Sequence, residues 1–229
     1  MRLGKRELPT PALCGCVTGE NPREMEEGVE RAKELGADCV ELRVDWLKEW
    51  EGWERLLSLD FPKILTNRPV REGGKFRGGE EERVGILLRG IELGVDCVDI
   101  EFSSAPELLQ RVLEEARRRG TSTILSFHDF DGTPPLEVLK QRVEELSALN
   151  PDFVKLVTMA RSKEECFRMF DLIRSVRGRP IIAFAMGEEG HASRIVAALL
   201  GSPIVYTSVG EQTAPGQLGL KEMRVILRR

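Results

Sequence analysis

Apolar runs of four to six residues recur along the chain, each followed by a longer stretch in which apolar side chains return every three or four positions. The short runs lie at residues 12–17, 39–43, 63–66, 97–101, 123–127, 153–157, 181–185 and 204–207, and their length and β-branched content predict strands. The longer stretches predict amphipathic helices. Leu108, Leu109, Val112, Leu113 and Ala116 form one helical stripe, and Ile195, Val196, Leu199 and Leu200 form another. Gly36, Gly94, Gly120, Gly178 and Gly201 stand where helices should end before the next strand.

The count is eight strand–helix pairs, at a period of roughly 25–30 residues, which suits a closed (β/α)₈ TIM barrel. An open doubly wound sheet is the competitor. It would carry a glycine-rich dinucleotide loop after its first strand, and Thr18-Gly19-Glu20-Asn21-Pro22 is not that loop. No composition break or low-complexity linker divides the chain, so one barrel domain is expected over 1–229. The residues before Ala12 are expected to form a short hairpin across the barrel's N-terminal end.

Composition narrows the class. A 41% hydrophobic, 31% charged chain is an ordinary globular one, and a net charge of −4 with interspersed signs offers no field for nucleic acid or an anionic membrane. No apolar stretch approaches the roughly 20 residues of a bilayer span, and the first residues lack the apolar centre of a signal peptide. A cytoplasmic protein is the expectation. Cys14 and Cys16 share a strand face, but the chain has only two histidines and no second cysteine pair, so no metal is expected.

Lys155 is the residue that changes the picture, because it interrupts the apolar run Phe153-Val154-Lys155-Leu156-Val157. A buried ammonium is costly unless it is paired or loses its proton, and a neutral lysine attacks carbonyl carbon to form imines. On the pentapeptide alone, a lysine whose stem packs while its ammonium reaches water is the favoured reading. The polar residues near the other strand ends favour chemistry. They comprise Glu41, Arg43 and Asp45; Arg68 and Glu72; Asp99 and Glu101; His128; Arg194; and Thr213 to Gln217. In a (β/α)₈ barrel these all fall on the catalytic rim. A nucleophilic lysine, a histidine able to move protons and arginines for an anion suggest imine chemistry on an anionic keto compound. Asp45 is read equally well as part of a structural ion-pair ladder. Asp99 and Glu101 are read as supporting groups, and His191 as a solvent-facing one.

The ordered set Glu41-Leu42-Arg43-Val44-Asp45, Arg68 with Glu72-Gly73-Gly74, His128-Asp129-Phe130, Lys155, Met186-Gly187 with Ser193-Arg194, and Ala214-Pro215-Gly216-Gln217 resembles type I 3-dehydroquinate dehydratase. The resemblance spans nearly the whole chain, including the 27 residues from His128 to Lys155. It implies a Schiff base on Lys155, with His128 as the proton-transfer group and Glu72 holding that imidazole. It further implies that Glu41, Arg43 and Arg68 bind ring hydroxyls, that Arg194 binds the substrate carboxylate, and that Met186 packs on the ring. Thr213 and Gln217 would belong to a lid, no cofactor would be needed, and the assembly would be a cytoplasmic homodimer. Thr213 stands where the family usually has serine and Tyr206 where phenylalanine is common. A class I aldolase-like barrel and a non-catalytic metabolite-binding barrel are the alternatives. Glu188 and Glu189 speak against the phosphate cradle an aldolase of sugar phosphates would need.

Overall fold

The computed structural model describes residues 1–227, so the last two residues of the expected 1–229 unit lie outside the described residues. Ten strands and seven α-helices alternate. Strands β1 (Arg2–Leu3) and β2 (Arg6–Glu7) form an antiparallel hairpin. Eight strands follow as one parallel sheet: β3 (Ala12–Val17), β4 (Cys39–Arg43), β5 (Lys63–Thr66), β6 (Cys97–Glu101), β7 (Ser122–Asp129), β8 (Phe153–Met159), β9 (Ile181–Met186) and β10 (Ile204–Ser208). Their order is β10-β3-β4-β5-β6-β7-β8-β9, so β10 returns to pair with β3 and curls the sheet into a nearly closed barrel. No ladder joins β9 to β10 among the described residues; there the rings of Phe184 and Tyr206 meet across the seam, 6.5 Å apart. The expected TIM barrel is therefore borne out.

Strand alternation sorts the side chains into two layers. Outward-facing Val40, Leu42, Val98, Ile100, Leu125, Leu156 and Ala183 form the main core with the helices' inner stripes. From α2 (Glu80–Glu92) come Val84, Leu87 and Ile91, and from α3 (Pro106–Arg119) come Leu109, Val112, Leu113 and Ala116. Each such valine, leucine or isoleucine side chain withdrawn from water contributes about 1.5–3 kcal/mol. The helices stop where the sequence indicates. In α1 (Pro22–Leu35), Asn21 accepts from the Glu24 amide at 3.1 Å and proline opens the first turn. Gly36 then closes the helix at φ 83°, a conformation that glycine alone adopts freely.

Of the eight expected strand–helix pairs, one lacks its α-helix. Between β4 and β5 the chain forms two short 3₁₀ segments, Val44–Trp46 and Trp53–Ser58. Gly52, at φ 70°, lies between them. At the opposite end of the barrel, the N-terminal hairpin covers the strand starts as expected. Leu3 is fully buried, the Gly4 amide donates to Ser122 Oγ at 2.8 Å, and Arg6 pairs with Asp96 at 3.2 Å. That seal leaves the C-terminal rim as the open end.

Candidate active site

Inward-facing residues at the strand ends converge on a cavity of about 100 Å³. The ten residues that the resemblance implies as catalytic or binding all line it: Glu41, Arg43, Arg68, Glu72, His128, Lys155, Met186, Arg194, Thr213 and Gln217. The parallel register explains how they meet. Lys155 lies beside Ser126, Glu101 beside Ser126 on the other side, Asp99 beside Thr66, and Thr66 beside Arg43. A larger open cleft of about 900 Å³ adjoins this cavity on the side of β3, walled by Thr18, Glu20, Trp46, Lys75 and Glu211 among others. It is lined by neither Lys155 nor His128, which both face the smaller cavity.

The Lys155 side chain is only 5% exposed, and its Nζ relieves that burial by pairing. It donates to Asp99 Oδ2 at 2.9 Å, lies 3.6 Å from Glu41 Oε1, and rests 4.0 Å above the ring of Tyr206. Asp99 also accepts from Arg68 at 2.9 and 3.2 Å and from Ser126 Oγ at 2.6 Å. Burial pushes the Asp99 carboxyl up, but the Arg68 and Lys155 charges hold it well below the ordinary range. Arg68 continues to Glu101 at 2.8 Å, and Glu101 is held in turn by Arg83. Asp99, read from the sequence as support, is thus the direct partner of the lysine.

His128 sits over this network with its side chain 8% exposed and its Nδ1 2.9 Å from Glu72 Oε2. Glu72 receives a second bond, from the Ser103 hydroxyl. Burial of Glu72 raises its pKa, and these two donors overcome that and hold it below its usual value. Burial, together with the nearby charges of Arg68 and Lys155, lowers His128 from 6.5 to about 4 against the raising effect of Glu72. The imidazole is therefore neutral at pH 7. With Nδ1–H given to the carboxylate, Nε2 carries the free lone pair.

Arg194 is arranged differently from the other cations. Arg43 makes two 2.8 Å bonds to Asp45, so that strand end is an ion-pair ladder, and Asp45 also accepts from the Lys75 amide. Arg194 is 3% exposed and faces no carboxylate among the described residues; its Nε and Nη2 lack hydrogen-bond partners. Its guanidinium stacks on Phe184, 4.1 Å from the ring centre, and burial lowers its pKa to about 10. Ser193 pins this corner through bonds with the Ala185 backbone at 2.9 and 3.0 Å. A buried guanidinium left unpaired is a receptor for an anion.

The segment after β10 closes the cavity. Gln217 Oε1 accepts from the Thr213 amide at 2.8 Å and its hydroxyl at 3.1 Å, while Gln217 Nε2 donates to Cys16 Sγ at 3.1 Å. Gly187 donates to the Pro215 carbonyl, and a Cβ on Gly216, at φ 71°, would lie 2.4 Å from the Gly187 oxygen. Only glycine permits that approach. Cys16, Phe184 and Ser103 were not singled out as site residues from the sequence. For Cys16 and Phe184 the signal was available, since each lies two residues from another inward position on its strand. Ser103 lies in a loop, where no period places it.

The family model for type I 3-dehydroquinase matches residues 13–229. The chain belongs to that family. It is 37% identical to the 3-dehydroquinate dehydratase of Thermococcus onnurineus over 213 residues, covering 93% of this chain and 95% of the relative. The crystal structure of the 3-dehydroquinate dehydratase from Aquifex aeolicus is 29% identical and superposes with a TM-score of 0.80, covering 95% of this chain and 97% of that one. The type I enzyme from Clostridium difficile shares the barrel, with a TM-score of 0.90 at 23% identity over 100% of this chain and 96% of that one. Membership of this family removes the aldolase-like and non-catalytic readings. Among the described residues no helix is long and apolar enough to cross a membrane.

Proposed function

We propose that this chain dehydrates 3-dehydroquinate to 3-dehydroshikimate through a Schiff base on Lys155, as a step of the shikimate pathway. The observation that carries the reading is the pairing pattern inside one cavity. Lys155, Arg43 and Arg68 are each matched by protein carboxylates, and Arg194 is left for the substrate's own carboxylate.

Lys155 passes a proton to Nε2 of His128 and attacks the ketone carbon with the lone pair so freed; the carbinolamine hydroxyl then takes that proton back and departs as water, leaving an iminium. The iminium withdraws electrons from the adjacent carbon, whose proton passes to the free Nε2 of His128 and leaves an enamine. As the enamine returns its electrons, the C–O bond of the tertiary hydroxyl breaks, and the proton held by His128 leaves with it as water. Addition of water to the remaining iminium then frees the product and Lys155. Each proton transfer through His128 supplies about 10²–10⁴-fold. Glu72 keeps Nδ1 protonated so that the reacting nitrogen is Nε2. Glu41, Arg43 and Arg68 face the ring hydroxyls, Met186 packs on the ring, and the segment with Thr213 and Gln217 excludes water during the reaction.

The same reading makes the barrel one catalytic domain and a cytoplasmic homodimer; light scattering on the purified protein measures the mass. The decisive experiment is reduction by borohydride in the presence of 3-dehydroquinate, followed by peptide mass spectrometry. A reduced adduct on Lys155 supports the mechanism. An adduct on Lys163, or none on any lysine, overturns it.

A further inference from the structure

Cys16 stands where three parts of the molecule meet. The residue lines both the inner cavity and the outer cleft. Its sulfur lies 3.1 Å from Gln217 Nε2 of the closing segment and 3.3 Å from Glu41 Oε2. The directions of these bonds are fixed by chemistry. An amide nitrogen only donates and a carboxylate only accepts, so the sulfur receives from Gln217 and gives its own S–H to Glu41. Burial and the charge of Glu41 push the thiol up to about 12, so it retains the proton this arrangement needs.

Both ends of the chain of bonds are anchored. On the lid side, the two Thr213 donors hold Gln217 Oε1, which turns Nε2 towards the sulfur. On the barrel side, Glu41 Oε1 accepts from Thr66 at 3.0 Å and lies 3.6 Å from Lys155 and 3.7 Å from Arg68. We propose that Cys16 is the latch of the lid, a positioning residue that seats Gln217 over the cavity and, through Glu41, couples lid closure to the charges around Lys155. The proposal rests on the dehydratase reading only for what the lid encloses. Sulfur is a weak acceptor, which gives a latch that holds yet releases.

The test is labelling of the full chain by N-ethylmaleimide, followed by peptide mass spectrometry. With the lid seated, Cys16 is 3% exposed and reacts slowly. Gln217→Ala removes the group seated on the sulfur, and Cys16 should label about tenfold faster, the scale of one lost hydrogen bond. Cys14, Cys39 and Cys97, each fully buried, should stay unlabelled. Equal Cys16 rates in the two proteins, or labelling of all four thiols together, would overturn the latch.

Kinetics supply the second arm. Cys16→Ala should raise KM about 2- to 10-fold, since the segment that covers the bound substrate loses its seat. Cys16→Ser keeps a donor and an acceptor and should restore KM. A serine variant as impaired as the alanine variant would reduce Cys16 to a packing role. Labelling needs no turnover, so its failure leaves the dehydratase reading standing. Failure to trap an adduct on Lys155 removes that reading without altering the labelling result.

Discussion

Lys155 Nζ and Asp99 Oδ2 face each other across the barrel interior at 2.9 Å, and the carboxylate is shared with Arg68 and Ser126. This relationship is asymmetric. Lys155→Ala leaves Asp99 bonded to Arg68 and Ser126, so that variant should fold normally while losing turnover. Asp99→Asn leaves two buried cations short of a charge, and breaking a buried pair in this way costs about 3–5 kcal/mol. Urea denaturation of the two variants should show a large loss for Asp99→Asn and a small one for Lys155→Ala. The reverse order would mean that Lys155, and not Arg68, is the main partner of Asp99.

The pH profile follows from His128. Its value of about 4 lies below the ordinary 6.5, so the basic form persists as pH falls and is lost only near pH 4. The acid limb of kcat/KM due to this group should therefore lie near 4. Between about 6.5 and 4 the unfolded chain binds a proton that the folded chain does not. Stability from this group is thus full above 6.5 and declines as pH falls through that window. NMR titration of the imidazole, assigned with His128→Ala, measures the value directly; a midpoint at 6.5 would contradict the burial argument.

The variant His128→Ala should still form the imine slowly, yet it loses the group that moves protons. Turnover should drop about 10²–10⁴-fold, and a covalent Lys155 adduct should accumulate without reductant. Intact-mass spectrometry after incubation with substrate detects it. Full activity would show that another base does the work.

Removal of the Arg194 guanidinium should weaken substrate and product alike. Charge-assisted bonds contribute about 1.5–3 kcal/mol each, so Arg194→Ala should raise KM and the product inhibition constant by about 10- to 100-fold per lost bond. Arg194→Lys retains the charge but not the fork, and should recover only part of this. Product inhibition unchanged in the alanine variant would mean that the carboxylate binds elsewhere.

Tyr206 presents its ring to Lys155, while its hydroxyl is buried and lacks a hydrogen-bond partner. Tyr206→Phe keeps the ring and removes the orphaned hydroxyl, whose burial costs about 1–3 kcal/mol. Thermal unfolding should shift upward with activity retained. A loss of stability would reveal a bond to that hydroxyl.

The repeating periods determined the fold class, because a strand and a helix advertise themselves by spacings of two and about 3.6. Alternation likewise puts Glu41 and Arg43 on one face of their strand, and Lys155 stands out as the one charge in an apolar run. The count of eight strand–helix pairs held except between β4 and β5, where Gly52 takes a left-handed backbone that spacing does not report.

Partnership was decided only by the tertiary structure. Lys155 and Asp99 are 56 residues apart and meet because parallel register brings distant strand ends to one rim; Cys16 and Gln217 are 201 apart and meet because the segment after β10 folds back over that rim. Which carboxylates pair with Lys155, and that Arg194 is left with none, depends on distances of a few ångströms across the barrel. Charge pairing acts through space, and a linear sequence carries no record of it.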